Sequence, residues 1–146
     1  MGFSVSASAA IIFAAMFIAF GMFYTASANS AEMVNDARVA AEDDLLTQQN
    51  TAIEITDAVY NTTTDRLTVT VNNTGGTQLT LSDTDLLADN RYQSEFVRRS
   101  VNGDEMTGLW LPGEQLRYVV EVSNQPDRVK VVAGSGVAAT EVVRRG

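Results

Sequence analysis

The chain of 146 residues contains no cysteine and no histidine. The first absence excludes disulfides, thiolate nucleophiles and cysteine-ligated zinc or iron–sulfur sites. The second excludes imidazole metal ligands and Ser-His-Asp or Cys-His catalysis. Basic residues are also scarce, 10 against 18 acidic ones, which leaves a net charge of −8. A surface that acidic repels phosphate and argues against nucleic acid as a partner. The expectation is a non-enzymatic protein with no cofactor and no bound metal.

Charge is missing altogether from one end. Every charged side chain lies between Glu32 and Arg145, so residues 1–31 carry none. Among the bases, Lys130 is the sole lysine and the others are arginine. An acid excess with almost no lysine suits a protein working in concentrated salt. Screening relieves the mutual repulsion there, and carboxylates hold water and cations at the surface. The expectation is a halophilic protein.

The uncharged end is one long apolar run, SVSASAAIIFAAMFIAFGMFYTASANSA. About 20 residues at 1.5 Å each cross the hydrocarbon core, and Ala9 to Ala28 supply that length. Residues 1–31 therefore read as a transmembrane helix, with Tyr24 near its outer interface. A secretory signal would carry a basic n-region, and the first basic residue is Arg38, although Ala26-Ser27-Ala28 resembles a cleavage site. A prepilin signal would place a basic residue before Gly2, and none is there; the Met1-Gly2…Ser6 match to a myristoylation pattern is read as chance. About seven residues precede the helix core and an acidic domain follows it. The expected topology is a single pass with a cytoplasmic N-terminus and the C-terminal domain outside the cell. At 100° per residue Phe13, Phe17, Phe20 and Tyr24 share one face. Ser8, Ala15, Ala19 and Ala26 lie roughly opposite, a small-residue face suited to pairing with another spanning helix.

Residues 32–50, EMVNDARVAAEDDLLTQQN, contain good helix formers and no Gly or Pro. They read as a helical stalk fraying near Gln48, with Met33, Ala37, Ala40, Ala41 and Leu45 along one side. Consecutive carboxylates at 42–44 point about 100° apart on a helix and do not converge on a metal. From Thr51 the period changes from helical to alternating. Ile53, Ile55 and Val59 are expected inward on a first strand, then Leu67, Val69 and Val71 on a second. Residues 72–76 read as a turn and Leu79 and Leu81 as the return strand. Residues 91–101 read as one strand with Tyr92, Phe96 and Val97, and strands follow over 106–111, 116–122, 128–133 and 137–143. Seven or eight short strands in about 95 residues match an Ig-like β-sandwich without a disulfide, over residues 51–146. Trp110 and Phe96 read as core.

Candidate sites are few. Ser82 to Asp89 resembles the start of a calcium loop through Asp83, Asp85 and Asp89, but lacks the glycine and the bidentate glutamate that such a loop needs. A solvated acidic loop is the simpler reading, with weak cation binding the alternative. Asn61-Thr62-Thr63 and Asn72-Asn73-Thr74 are glycosylation sequons at expected loop or strand-end positions, making Asn61 and Asn72 candidate acceptors.

The N-terminal segment MGFSVSASAAIIFAAMFIAFGMFYTASANSAE, the acidic stalk and the tail with its Asn-Thr-Gly strand pattern together resemble haloarchaeal members of the archaellum F family, known as FlaF or ArlF. The resemblance implies a stator part of the archaeal swimming motor, with its sandwich in the pseudoperiplasm. It implies the surface-layer protein and the related archaellum G protein as partners, and a homo- or hetero-oligomer. No binding motif maps onto positions here, so the face that meets a partner is open. The alternative is a pilin- or archaellin-like filament subunit, which shares the helix-plus-sandwich plan.

Overall fold

The computed structural model describes residues 2–146. A single helix, α1 (Gly2–Asn50), leads into strands β1 (Ile53–Asn61), β2 (Arg66–Asn73), β3 (Leu79–Thr80), β4 (Asp85–Ala88), β5 (Arg91–Gln93), β6 (Arg98–Val101), β7 (Leu109–Trp110), β8 (Gln115–Glu121), β9 (Arg128–Val132), β10 (Ala138–Val142) and β11 (Arg144–Arg145). Two units separate along the chain, one up to Asp43 and one of Asp44–Gly146. The first is purely helical. The second holds the last turns of α1 and all the strands, so the expected boundary between stalk and sandwich at 50/51 falls inside one compact unit.

The strands form an Ig-like β-sandwich. One sheet has the order β11-β1-β2-β8-β6, the other β10-β9-β4-β5, and β3 and β7 form a separate ribbon. All pairings are antiparallel except β1 with β11. Alternation of β-branched and polar residues drives the layering: Leu67, Val69 and Val71 on β2, Leu116, Tyr118 and Val120 on β8, and Val129 and Val131 on β9 point inward with no exposure. Each such aliphatic side chain contributes about 1.5–3 kcal/mol of burial. Trp110 is likewise fully buried and donates its indole N–H to the Glu114 carbonyl at 2.8 Å.

Four expectations are corrected. Ala58 and Tyr60, rather than Val59, point inward on β1, because the register with β2 shifts between Ile55 and Asp57. The extra residue of that bulge moves the rest of the strand to the opposite face. Residues 91–101 are two strands in different sheets: β5 pairs with β4 and β6 with β8. The chain crosses between the sheets at 94–97. Tyr92 and Val97 are consequently exposed, while half-buried Phe96 packs on Tyr118 with ring centroids 5.0 Å apart. Residues 85–88, read as part of an acidic loop, form β4 with Leu86 and Ala88 buried. Finally, the C-terminal end of α1 does not fray near Gln48.

That end is held by the turn after β2. The Asn50 carbonyl accepts the Gly76 N–H at 2.8 Å, and the Ala52 carbonyl accepts the N–H groups of Thr74 and Gly75, each at 2.9 Å. Thr51 donates its hydroxyl to the Thr47 carbonyl at 2.7 Å, and the Gln48 side-chain amide donates to the Ser135 carbonyl at 3.2 Å. The contacts to Asn50 and Thr47 satisfy carbonyls that a helix end leaves without partners, and the others tie the following residues and Gln48 to the sandwich. The buried Asn73 side chain organises the turn itself. It donates to the carbonyls of Thr77 (2.8 Å) and Trp110 (3.2 Å) and accepts the Gly75 N–H at 3.2 Å.

Gly75 is required by space. A Cβ there would overlap the Ala52 nitrogen and lie 2.5 Å from the Asn50 carbonyl oxygen, both backbone atoms that cannot swing aside. Gly75→Ala is expected to destabilise the domain by about 1–3 kcal/mol through overpacking. Asn73→Ala should cost a similar amount, since it removes the side-chain donors from the Thr77 and Trp110 carbonyls and leaves a cavity. Chemical denaturation of the full chain measures both; a change below 0.5 kcal/mol, roughly the size of an ordinary surface substitution, would contradict this account of the joint.

Candidate functional site

The protein presents two kinds of functional surface, an apolar helix and the outer faces of a sandwich. Residues Val5–Asn50 of α1 include a stretch long and apolar enough to cross a membrane, the one such helix among the described residues. Ile11, Ile12, Phe13, Met16, Phe17 and Phe20 all project outward from it. Phe13 and Phe17 stack loosely at 6.4 Å, which agrees with their shared face. Two hydroxyls in the helix are internally satisfied: Thr25 donates to the Gly21 carbonyl at 2.9 Å and Ser30 to the Ala26 carbonyl at 2.8 Å. Such back-bonding is what a hydroxyl in hydrocarbon requires.

Ser8, Ala15, Ala19 and Ala26 all lie within α1. A shallow groove not anticipated from the sequence runs beside them, lined by Ile18, Gly21, Met22, Thr25, Ala26 and Asn29. Its signal was present as the small pair Gly21 and Thr25 four residues apart.

The two sequons differ in setting. Asn61 is exposed at the end of β1, and its side-chain oxygen accepts the N–H groups of Thr63 (2.9 Å) and Thr64 (3.2 Å). Asn72 is the penultimate residue of β2, paired on both sides and half-buried, its oxygen accepting from the Gln115 amide at 3.2 Å.

The three aspartates of the calcium-like segment have separate jobs. Asp83 accepts from the hydroxyls of Thr80 (3.3 Å) and Ser82 (3.0 Å) in a short helical turn. Asp85 is exposed on β4. Asp89 accepts the backbone N–H groups of Asp127 (3.0 Å) and Arg128 (3.2 Å), pinning the loop before β9. Among the described residues no three carboxylates gather where they could hold a metal ion. A polar cleft of about 490 Å3 opens beside this loop, lined in part by Asp89, Arg91, Glu121 and Gln125.

Three of the cations on the sandwich are paired with acids. Around the five-stranded sheet, Arg66 pairs with Glu121 (3.2 Å), Arg98 with Glu105 (2.8 Å) and Arg144 with Asp57 (2.8 Å). Arg99 lies 5.5 Å from the centre of the Phe96 ring and donates to the Leu81 carbonyl. On the four-stranded sheet neither Arg128 nor Lys130 has a carboxylate within 4.0 Å.

Residues 2–143 match the archaeal-type flagellin family. The chain belongs to that family. Membership covers the helix and the sandwich together and so makes this an archaellum-related protein. Comparison with curated proteins returned no match. Among solved structures, the chain is similar to the archaellum periplasmic stator protein FlaG from Sulfolobus acidocaldarius, with 16% identity and a TM-score of 0.44 over 62% of this chain and 97% of that one. It is also similar to the archaellum periplasmic stator protein complex of FlaF and FlaG from the same organism, with 15% identity and a TM-score of 0.43 over 61% of this chain and 85% of that one.

One titration follows from the core of this archaeal-type flagellin family member. Burial pushes the Tyr118 phenol well above its ordinary value of 10.0. The folded state thus favours the neutral phenol. Its contribution is complete below about pH 10, the unfolded value, and is lost as pH rises beyond it. Stability should therefore fall between pH 10 and 12. Tyr118→Phe should flatten that fall in urea midpoints measured across the range. An equally steep fall in the variant would assign the alkaline sensitivity elsewhere.

Proposed function

We propose that this protein is a non-enzymatic, membrane-anchored stator component of the archaeal swimming motor, of the F type. Its helix spans the cell membrane with the N-terminus in the cytoplasm. Its sandwich lies outside and ties the motor to the surface-layer lattice, alongside the related G protein. The observation that carries this reading is the position of charge along α1. The uncharged stretch ends at Glu32, after roughly the length that a bilayer demands. Exposed Glu32, Asp36, Glu42, Asp43 and Asp44 follow on the same helix. A helix packed over its length into a filament core would have to desolvate those carboxylates, which is strongly unfavourable without partners. A membrane helix continued by a solvated stalk keeps them in water.

The mechanical logic is simple. A rotary motor needs an opposing anchor, or the reaction torque turns the membrane complex instead. One helix in a fluid bilayer resists rotation poorly, so pairing through Ser8, Ala15, Ala19 and Ala26 and an outer tether both serve the role. The acidic surface suits concentrated salt, where affinity comes mainly from apolar and hydrogen-bonded contact. Asn61 is the better placed of the two candidate glycan acceptors, being exposed beyond the sheet.

Full-length protein in detergent, mixed with envelope extract in molar salt, is expected to retain the surface-layer lattice protein. Recovery of the chain as the bulk subunit of purified filaments would overturn the reading in favour of a filament subunit. A deletion strain should build filaments but swim poorly, and normal swimming would be equally decisive against it. For the helix, Ala15→Leu combined with Ala19→Leu is expected to lower self-association in bilayers several-fold by energy transfer. Unchanged transfer would remove that face from the pairing.

A further inference from the structure

The outer face of the four-stranded sheet holds two adjacent cations, Arg128 and Lys130, with no carboxylate within 4.0 Å. Register places Thr140, Lys130, Leu87 and Tyr92 in one row across β10, β9, β4 and β5. At about 4.8 Å per strand, three steps make a row of about 14 Å. Val142 stands opposite Arg128 in the neighbouring row. Tyr92 and Val142 are 63% and 66% exposed, while Leu87 is half-buried.

A hollow of about 190 Å3 opens on this face, lined by Leu87, Asn90, Arg128, Lys130 and Thr140. Its charged lining is entirely cationic. The Arg128 guanidinium reaches the Asn90 side-chain oxygen at 3.5 Å, a long contact that leaves its other donors uncommitted. Lys130 is exposed and makes no hydrogen bond or ion pair among those described. The nearby acids are otherwise placed: the Asp89 carboxylate is taken up by backbone N–H groups, and Asp85 sits opposite Val132 further along β4. In a protein of net charge −8, two adjacent cations that share one hollow and are flanked by exposed apolar side chains form an unmet half of an interface.

We propose that this face docks an acidic segment of a partner protein, one of whose Asp or Glu side chains enters the hollow between Arg128 and Lys130. The guanidinium offers the carboxylate a paired donor edge, Lys130 a compact charge, and Thr140 a hydroxyl. Leu87, Tyr92 and Val142 cover the aliphatic part of the segment. The design tolerates salt. At 1 M the screening length falls to about 3 Å, so attraction at a distance is lost while a direct charged hydrogen bond persists, and salting-out strengthens the apolar contact. The proposal goes beyond the anchoring reading and does not depend on it.

The test uses isotopically labelled full-length protein in micelles, titrated with hexaglutamate peptide. Shifts are expected at Leu87, Asn90, Arg128, Lys130 and Thr140. Binding should weaken at least tenfold in Arg128→Glu/Lys130→Glu and stay unchanged in Arg117→Glu, on the opposite sheet. Thr140→Glu, which leaves both cations in place but supplies a carboxylate beside them, should block the peptide as strongly. This second variant keeps the test sound if the double variant folds poorly. No binding, shifts centred elsewhere, equal affinity for hexalysine or undiminished binding in both variants would overturn the proposal. Equal affinity for free glutamate would also do so, since it would mark a small-carboxylate pocket rather than a docking face. Hexaglutamate binding without capture of the lattice protein would count against the anchoring reading alone.

Discussion

A helix that ends against a sheet leaves carbonyls that must find donors, and here one turn provides them. Asn50 and Ala52 present their oxygens to the N–H groups of Gly76, Thr74 and Gly75. The arrangement works only because Gly75 has no side chain and because Asn73, buried beneath, holds the turn to the carbonyls of Thr77 and Trp110. The same few residues begin the sandwich. Ile53 pairs with Asn73, so the turn that caps the helix also starts the β1–β2 ladder. β2 then lies between β1 and β8, and its inward Leu67, Val69 and Val71 form the middle of the core. A fault at Asn73 or Gly75 would disturb the helix end, the first ladder and the seating of Trp110 at once.

From that centre the two sheets diverge in character. On the five-stranded sheet Arg66, Arg98 and Arg144 pair with acids on neighbouring strands or loops, while Arg117 has no carboxylate within 4.0 Å. Such exposed pairs add little stability, about 0–1 kcal/mol each. The four-stranded sheet is shorter, ends in the exposed edges β5 and β10, and carries its cations free. What sets Arg128 and Lys130 apart is that they line one hollow together with Leu87, Asn90 and Thr140.

Much of this was legible in the residues. The uncharged run, the change of period at Thr51 and the alternation of Leu67, Val69 and Val71 each reflect a single local rule, and each appears where expected. What was hidden depends on partners distant in sequence. The bulge after Ile55 reverses the inward residues of β1, and nothing in the run of residues 53–60 announces it. The crossing at 94–97 splits one apparent strand because β4 and β8 compete for its two halves. Asn73 read as ordinary turn chemistry because asparagine is common in turns; only the positions of Thr77 and Trp110 show that its side chain is buried and fully used. The cationic hollow was invisible for the same reason. Arg128 and Lys130 sit two apart, an unremarkable spacing, and become distinctive only once the sheet shows that no acid reaches them. The calcium-like segment misled in the opposite direction, since its aspartates are close in sequence but are drawn apart by a helical turn, a strand and a backbone contact.

The acidic stretch of α1 bears on the choice between the two roles that a helix-plus-sandwich plan can serve. In a filament, neighbouring helices exclude water along their shared length, so charge must be absent or matched across the contact. In a membrane anchor, the apolar length is set by the bilayer and charge resumes at its surface. Here the first charge comes at Glu32 and carboxylates then recur on several sides of the helix, at positions 36, 42, 43 and 44, with Arg38 the single base among them. At 100° per residue these cannot share one solvent-facing stripe. Carboxylates cover about 200° of the circumference. A packed neighbour could avoid them only along the side of Val34, Ala37, Ala41 and Leu45, and in the proposed anchor the charged arc faces water.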